Sequence, residues 1–241
     1  MSEPLLVVEG VSKRFGAFQA LDNVSLTLRS GERLGIIGPN GSGKTTLINC
    51  VTGVLAPDGG RILFDEREVT QLSPHRRARL GMARSFQIPQ PFTGMTVAEN
   101  LQVVLDYHPH EEDDATRIAA VLAAVGLAAR ANAPAEALSQ LELRKLELAR
   151  ALIARPRMLI ADEAMAGLSE SEIDEVLAIL MRLAGEGVAI IMIEHIMHAV
   201  MRFSERVLCF ETGRLIAEGP PEAITRDATV QRVYFGEPAA P

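Results

Sequence analysis

The 241-residue chain has two cysteines and no apolar run long enough to cross a bilayer. Its longest apolar stretch, residues 188–201, is interrupted by Glu194, His195 and His198, which makes it too short and too polar for a span. Cys50 and Cys209 fall in a predicted helix and a predicted strand, so they read as reduced core residues of a cytosolic protein, not a disulfide framework. Met1-Ser2-Glu3-Pro4 is acidic and leads into strand-like residues 5–8, unlike a signal peptide. Positive charge is scarce too. Against 31 Asp and Glu stand 24 Lys and Arg, a net charge of −7 that argues against nucleic acid as the main partner. Internal repeats and low-complexity tracts are absent, and the Pro/Ala tail from Pro238 reads as loose. What is plentiful is apolar material, 48% of residues, enough for a large domain or a core with a subdomain.

The chain is organised around Gly38-Pro39-Asn40-Gly41-Ser42-Gly43-Lys44-Thr45-Thr46. An apolar run at 33–37 reads as a buried strand before it, and 47–51 reads as a helix after it. Strand, glycine-rich loop, Lys-Thr and helix together make a phosphate-binding P-loop. Glycines let backbone N–H groups turn onto phosphate oxygens, and the helix adds the partial positive charge of its N-terminus. Lys44 is placed to reach the β- and γ-phosphates, and Thr45 to offer a hydroxyl to Mg²⁺.

Residues 5–9 and 24–29 alternate as half-buried strands do. Phe15, between them, reads by position as an edge residue of the core in preference to a platform for a base. Ser73-Pro74 opens a short helix whose arginines, Arg76, Arg77 and Arg79, read as a solvated face. Residues 88–154 are rich in Ala, Leu, Glu and Arg at helical spacing and read as an all-helical insert. His108 and His110 lie beside a run of carboxylates there that suits a helix start better than a metal site. Strands then alternate with helices to the C-terminal segment, so the fold expected is an α/β sheet, mostly parallel in its core.

Residues 157–163 form a buried run ending in Asp162-Glu163. An acid at a strand end can hold Mg²⁺ through water beside Thr45, and its neighbour can serve as general base to an attacking water. His195, just past the strand at 188–193, is placed to contact a γ-phosphate.

Taken together, these residues resemble the ATP-binding subunits of ABC transporters, over nearly the whole chain. The resemblance makes Phe15 the aromatic that stacks adenine, 38–46 the Walker A loop, Gln87 the Q-loop residue and a further Mg²⁺ contact. It makes Asp162-Glu163 the Walker B acids, His195 the switch histidine and Ala166-Gly167-Leu168-Ser169 the D-loop. Leu138-Ser139-Gln140-Leu141-Glu142 stands where the family has its LSGGQ signature, so Ser139 is the residue expected at a partner subunit's nucleotide. Leu141 replaces a glycine, at about 1–2 kcal/mol if that position needs left-handed backbone. Ala164 and Ser169 replace the usual Pro and Asp.

Several stretches, among them 11–16, 83–87, 95–101, 193–195 and 233–237, are most similar to the ATPase subunits of branched-chain (hydrophobic) amino-acid importers. The resemblance implies an ABC ATPase core with an antiparallel β subdomain and an inserted helical subdomain. Its boundaries are 1–87 with 155–222 for the core, 88–154 for the signature subdomain and 223–241 for the C-terminal segment. It implies ATP and Mg²⁺ as ligands, ATP hydrolysis, and a peripheral position on the cytoplasmic face of the inner membrane. The partners implied are permease subunits, a second ATPase chain (the same or different) and, indirectly, a periplasmic binding protein. A lipopolysaccharide-export-type ATPase and a low-turnover regulatory subunit are the alternatives.

Overall fold

The computed structural model describes residues 3–85, 90–108 and 112–235. In chain order it runs β1 (Pro4–Phe15), β2 (Phe18–Arg29), β3 (Arg33–Ile37), α1 (Lys44–Thr52), β4 (Gly59–Phe64), β5 (Arg67–Glu68), α2 (Pro74–Arg79) and β6 (Met82–Ser85). Then come α3 (Val97–Asp106), α4 (Asp114–Ala124), α5 (Gln140–Leu152), β7 (Met158–Asp162), α6 (Glu170–Gly185) and β8 (Ala189–Ile193). The chain closes with α7 (Met197–Phe203), β9 (Arg206–Glu211), β10 (Arg214–Gly219), α8 (Pro221–Arg226) and α9 (Ala228–Phe235).

The apolar runs of β3, β7 and β8 are continuous because these strands are covered on both faces, as parallel strands are. They lie in a six-stranded sheet of order β10-β9-β3-β8-β7-β6. Pairing is parallel from β9 through β6, and β10 adds an antiparallel edge. Alternate side chains feed two cores. Met158, Ile160, Ile191 and Ile193 pack with Leu47, Ile48 and Val51 of α1 and with the second sheet. Leu159, Ala161, Ile190 and Met192 face the other way, onto α6, α7 and the helices of residues 97–152. That second sheet is antiparallel, of order β2-β1-β4-β5. The architecture is the α/β one expected, with an antiparallel β layer and a helical insert.

Two local expectations change. The strands at 5–9 and 24–29 are parts of a long hairpin, β1 with β2, that includes Phe15. Bulges break its register between Val8 and Val11 and again on either side of Lys13, and Asn23 takes φ 51°. Bulges shift the inward-facing residue by one, so a strict two-residue alternation misses the outer half of each strand.

The arginines of α2 are not uniformly solvated either. Arg77 is 1% exposed. Its guanidinium donates to Leu72 O, Cys50 O, Val51 O and Thr70 O at 2.6–3.0 Å. Two of these carbonyls belong to the last turn of α1, where the helix leaves acceptors unfilled. Arg77 is therefore the brace under the P-loop helix.

Replacing it by methionine keeps most of the volume and removes four hydrogen bonds, leaving only Cys50 O with another donor, Gly53 N–H, among those the structure shows. We expect Arg77→Met to lose about 3 kcal/mol or more of unfolding free energy in urea. A loss under about 1 kcal/mol would show that water or a neighbour replaces those bonds.

Candidate active site

The carboxyl ends of the parallel strands lie level with one another. Ile36 pairs with Ile193, and Ile193 with Asp162. The segments leaving β3, β7 and β8 therefore emerge on one rim, the edge at which open α/β sheets receive ligands.

From β3 comes the glycine loop. Gly38 has φ 153°, and a Cβ there would lie 2.4 Å from Phe210 O. Gly43, at the N-cap of α1, has φ 105° and brings no capping side chain. The first helical bond is Leu47 N–H to Gly43 O, so the amides of Lys44, Thr45 and Thr46 have no acceptor inside the helix. Ser42 Oγ is buried with no partner among the described residues. An uncapped helix start and an orphaned buried hydroxyl in one loop suit a set of phosphate oxygens. The Lys44 ammonium donates to Gly38 O at 2.6 Å and Pro39 O at 2.9 Å. Burial lowers its pKa, partly offset by the charges of Glu163 and Asp162.

A cleft of about 210 Å³ is walled by Asn40–Thr46, Glu163, Ile193 and His195, with Phe15, Phe18 and Ala20 also lining it. Phe15 is 48% exposed and so is not the core residue its position suggested. It pairs with Phe18 across the Gly16-Ala17 turn, and Phe18 is 59% exposed. Two aromatic side chains thus border the cleft. Phe18 was not anticipated; its mirror position across a two-residue turn is the signal that could have found it.

A second cavity, about 710 Å³, is lined by Thr45, Asp162 and Glu163 with Arg84, Glu147 and Arg150. Asp162 Oδ2 accepts from the Arg84 guanidinium at 2.6 Å. Glu163 has left-handed backbone, φ 48°, and its N–H donates to Ile193 O at 2.9 Å. Its Oε1 lies 3.2 Å from His195 Nε2. No cluster of three or more His, Cys, Asp or Glu able to hold a metal occurs among the described residues. A single carboxylate beside a threonine fits Mg²⁺, which is usually held by one or two carboxylates together with substrate phosphates. Gln87 lies outside the described residues, as does His110.

Glu194 was also not anticipated. It is 2% exposed, and its Oε1 accepts from Met165 N–H at 2.9 Å, tying the end of β8 to the loop after Glu163. Burial pushes its carboxyl up to about 7; the Met165 N–H opposes this, the Glu163 charge adds to it, and Arg144 opposes it.

The model of the ABC transporter family matches residues 21–166. The chain belongs to the ABC transporter family. A model described as "Branched-chain amino acid ATP-binding cassette transporter" matches residues 214–240. The chain is 38% identical to the high-affinity branched-chain amino acid transport ATP-binding protein LivG of Salmonella typhimurium, over 98% of this chain and 100% of that one. It is 37% identical to BraF of Pseudomonas aeruginosa, with the same coverage. Among solved structures it resembles a nucleotide-free ATP-binding cassette from an ABC transporter, with TM-score 0.89, 32% identity, and coverage of 98% and 100%. The ADP conformation of the cassette MJ1267 superposes similarly, with TM-score 0.88, 32% identity and the same coverage.

In this ABC ATPase chain Ser139 is not among the residues lining the glycine-loop cleft. It is the N-cap of α5, where its hydroxyl accepts from Glu142 N–H and its own N–H donates to Glu142 Oε2. Leu141 follows in the first turn of that helix and is not among the residues with positive φ, so the strain considered for it does not arise. Gln140 Nε2 and Arg144 both donate to Ala166 O, at 3.3 and 3.1 Å, which joins α5 to the loop between β7 and α6.

The raised pKa of Glu194 sets a sign for stability. The folded state holds this proton up to about pH 7, whereas an unfolded glutamate releases it near 4.5. Its contribution is therefore complete below about pH 4.5 and is lost as pH rises through 7. Glu194→Gln keeps the acceptor for Met165 and removes the titration. We expect wild type to lose about 3 kcal/mol relative to Glu194→Gln between pH 4.5 and 8, by urea denaturation at each pH. Parallel pH profiles would mean that Glu194 ionises as in water.

Proposed function

We propose that this chain is the ATP-hydrolysing subunit of an importer for branched-chain or other hydrophobic amino acids or related amides. The observation that carries the reading is the meeting, at one sheet edge, of Lys44, Thr45, Asp162, Glu163 and His195, which lie at or just beyond the ends of three separate strands. The C-terminal match and the near full-length relatives narrow the transport class.

In this reading residues 38–46 and Lys44 hold the phosphates, and Phe15 stacks on the base with Phe18 beside it. Thr45 and Asp162, with Gln87, hold Mg²⁺. When bound, that ion supplies charge neutralisation at the phosphates. Glu163 takes a proton from the attacking water, and His195, 3.2 Å away, orients that carboxylate and contacts the γ-phosphate. Residues 1–87 with 155–222 act as the nucleotide-binding core, 88–154 as the signature subdomain, and 223–241 as the C-terminal segment. Ser139 and the first-turn amides of α5 act on the nucleotide of a second ATPase subunit, alike or different.

No helix among the described residues is long and apolar enough to cross a membrane. In this reading the chain works peripherally, on the cytoplasmic face of the inner membrane beneath permease subunits, with cargo delivered by a periplasmic binding protein.

Glu163→Gln is the sharpest test of the chemistry. We expect ATP binding to be kept and turnover to fall about 10²–10⁴-fold in a phosphate-release assay. Turnover within a few-fold of wild type would remove Glu163 from the base role. Affinity purification from gently solubilised native membranes tests the assignment. A multi-span permease should co-purify, and its absence under conditions that preserve a control transporter would overturn the importer reading.

A further inference from the structure

Arg84 is the cation in direct contact with the carboxylate proposed to hold Mg²⁺. It lies on β6 beside Ile160 of β7, two residues before Asp162, so all three side chains share the α1 face of the sheet. The guanidinium is forked. One nitrogen donates to Asp162 Oδ2 at 2.6 Å, and the other to Asn49 Oδ1 at 2.7 Å. Asn49 is one turn beyond Thr45 on α1, at i+4, so the fork ties Asp162 to the helix face that carries the Thr45 hydroxyl. Both members of the pair are largely shielded, with side chains 14% and 10% exposed. A shielded carboxylate left without a counter-charge destabilises a fold strongly. Lys44 feels the charge of Asp162, but its ammonium donates to Gly38 and Pro39 carbonyls.

We propose that Arg84 is a positioning residue of the ATPase centre: its guanidinium orients Asp162 and balances its charge in the nucleotide-free chain, and so holds bare divalent cations off the site. The inference rests on the ATPase reading above. A cation arriving alone meets a carboxylate with one oxygen already engaged and a fixed positive charge behind it. A cation arriving on ATP brings the negative charge of the phosphates, which offsets that repulsion. The site is thereby biased toward the metal–nucleotide complex over the free metal.

The test uses the full chain, with Mn²⁺ as probe and no nucleotide, titrated by electron paramagnetic resonance. Arg84→Gln keeps hydrogen-bonding capacity and removes the charge, and should bind Mn²⁺ about tenfold more tightly than wild type. Arg84→Lys keeps the charge and should stay within about twofold of wild type. A fluorescent ATP analogue in EDTA should bind wild type and Arg84→Lys alike and Arg84→Gln less tightly, the opposite sign to Mn²⁺. Equal Mn²⁺ affinity in wild type and Arg84→Gln, or equal changes in the Gln and Lys variants, would reduce Arg84 to a structural brace and overturn the proposal. Should Arg84→Gln fold poorly, Mn²⁺ should restore its melting temperature by replacing the lost counter-charge. Failure of that rescue also overturns it. Wild type that binds no ATP analogue would instead sink the ATPase reading itself.

Discussion

The helix α1 begins without a cap, and much of the surrounding structure serves to keep it so. A side chain at position 43 that filled the first-turn amides would close the space that a phosphate needs. The glycine there does not, and Gly38 fits where a Cβ would collide with Phe210 O. The loop is then held from outside. Gly213 N–H donates to Ser42 O, and Asp22 N–H to Gly213 O, so the β9–β10 turn and the long β1–β2 hairpin clamp it from one side. From the other end Arg77 takes up the last carbonyls of the helix. The N-terminal amides are thus left for a ligand, while Cys50 O and Val51 O near the other end are taken up inside the protein.

The parallel register carries this arrangement across the sheet. β8 lies between β3 and β7, so Asp162 is two strands away from the glycine loop. Only because Ile36, Ile193 and Asp162 are level does the acid reach the same rim. A slip of one residue would turn Asp162 onto the opposite face, among the helices, and expose the alternation that fills both cores.

The parts of the site legible in the sequence are those whose chemistry is contiguous. The glycine loop, Asp162-Glu163 and His195 each announce themselves within a few residues of a strand end. Phe15 needed more, because whether an aromatic at a strand end faces the core or solvent depends on bulges that the local pattern does not display. Arg84 and Glu194 were illegible for another reason. Their roles exist only between elements: β6 beside β7 under α1 for Arg84, and the end of β8 beside the loop at 165–166 for Glu194. Arg77 shows the same limit in the fold itself. Three arginines in a six-residue helix look like a solvated face until α1 is placed above them.

Two departures from the family pattern, Ala164 and Leu141, read differently once backbone geometry is considered. The residue before a proline is driven toward extended backbone, with φ near about −120°. Glu163 has φ 48°, in the left-handed region that non-glycine residues enter at a cost of order 1–3 kcal/mol. That turn is what takes the chain off the ladder after Asp162 and sets Glu163 Oε1 at 3.2 Å from His195. With alanine at 164 there is no pyrrolidine ring to oppose it. Leu141, conversely, sits in right-handed helix and packs half-buried against the helical core, so it brings no backbone strain to the start of α5. The first departure acts inside this chain's own site. The second acts on the packing at the start of α5, outside the cleft that Glu163 lines.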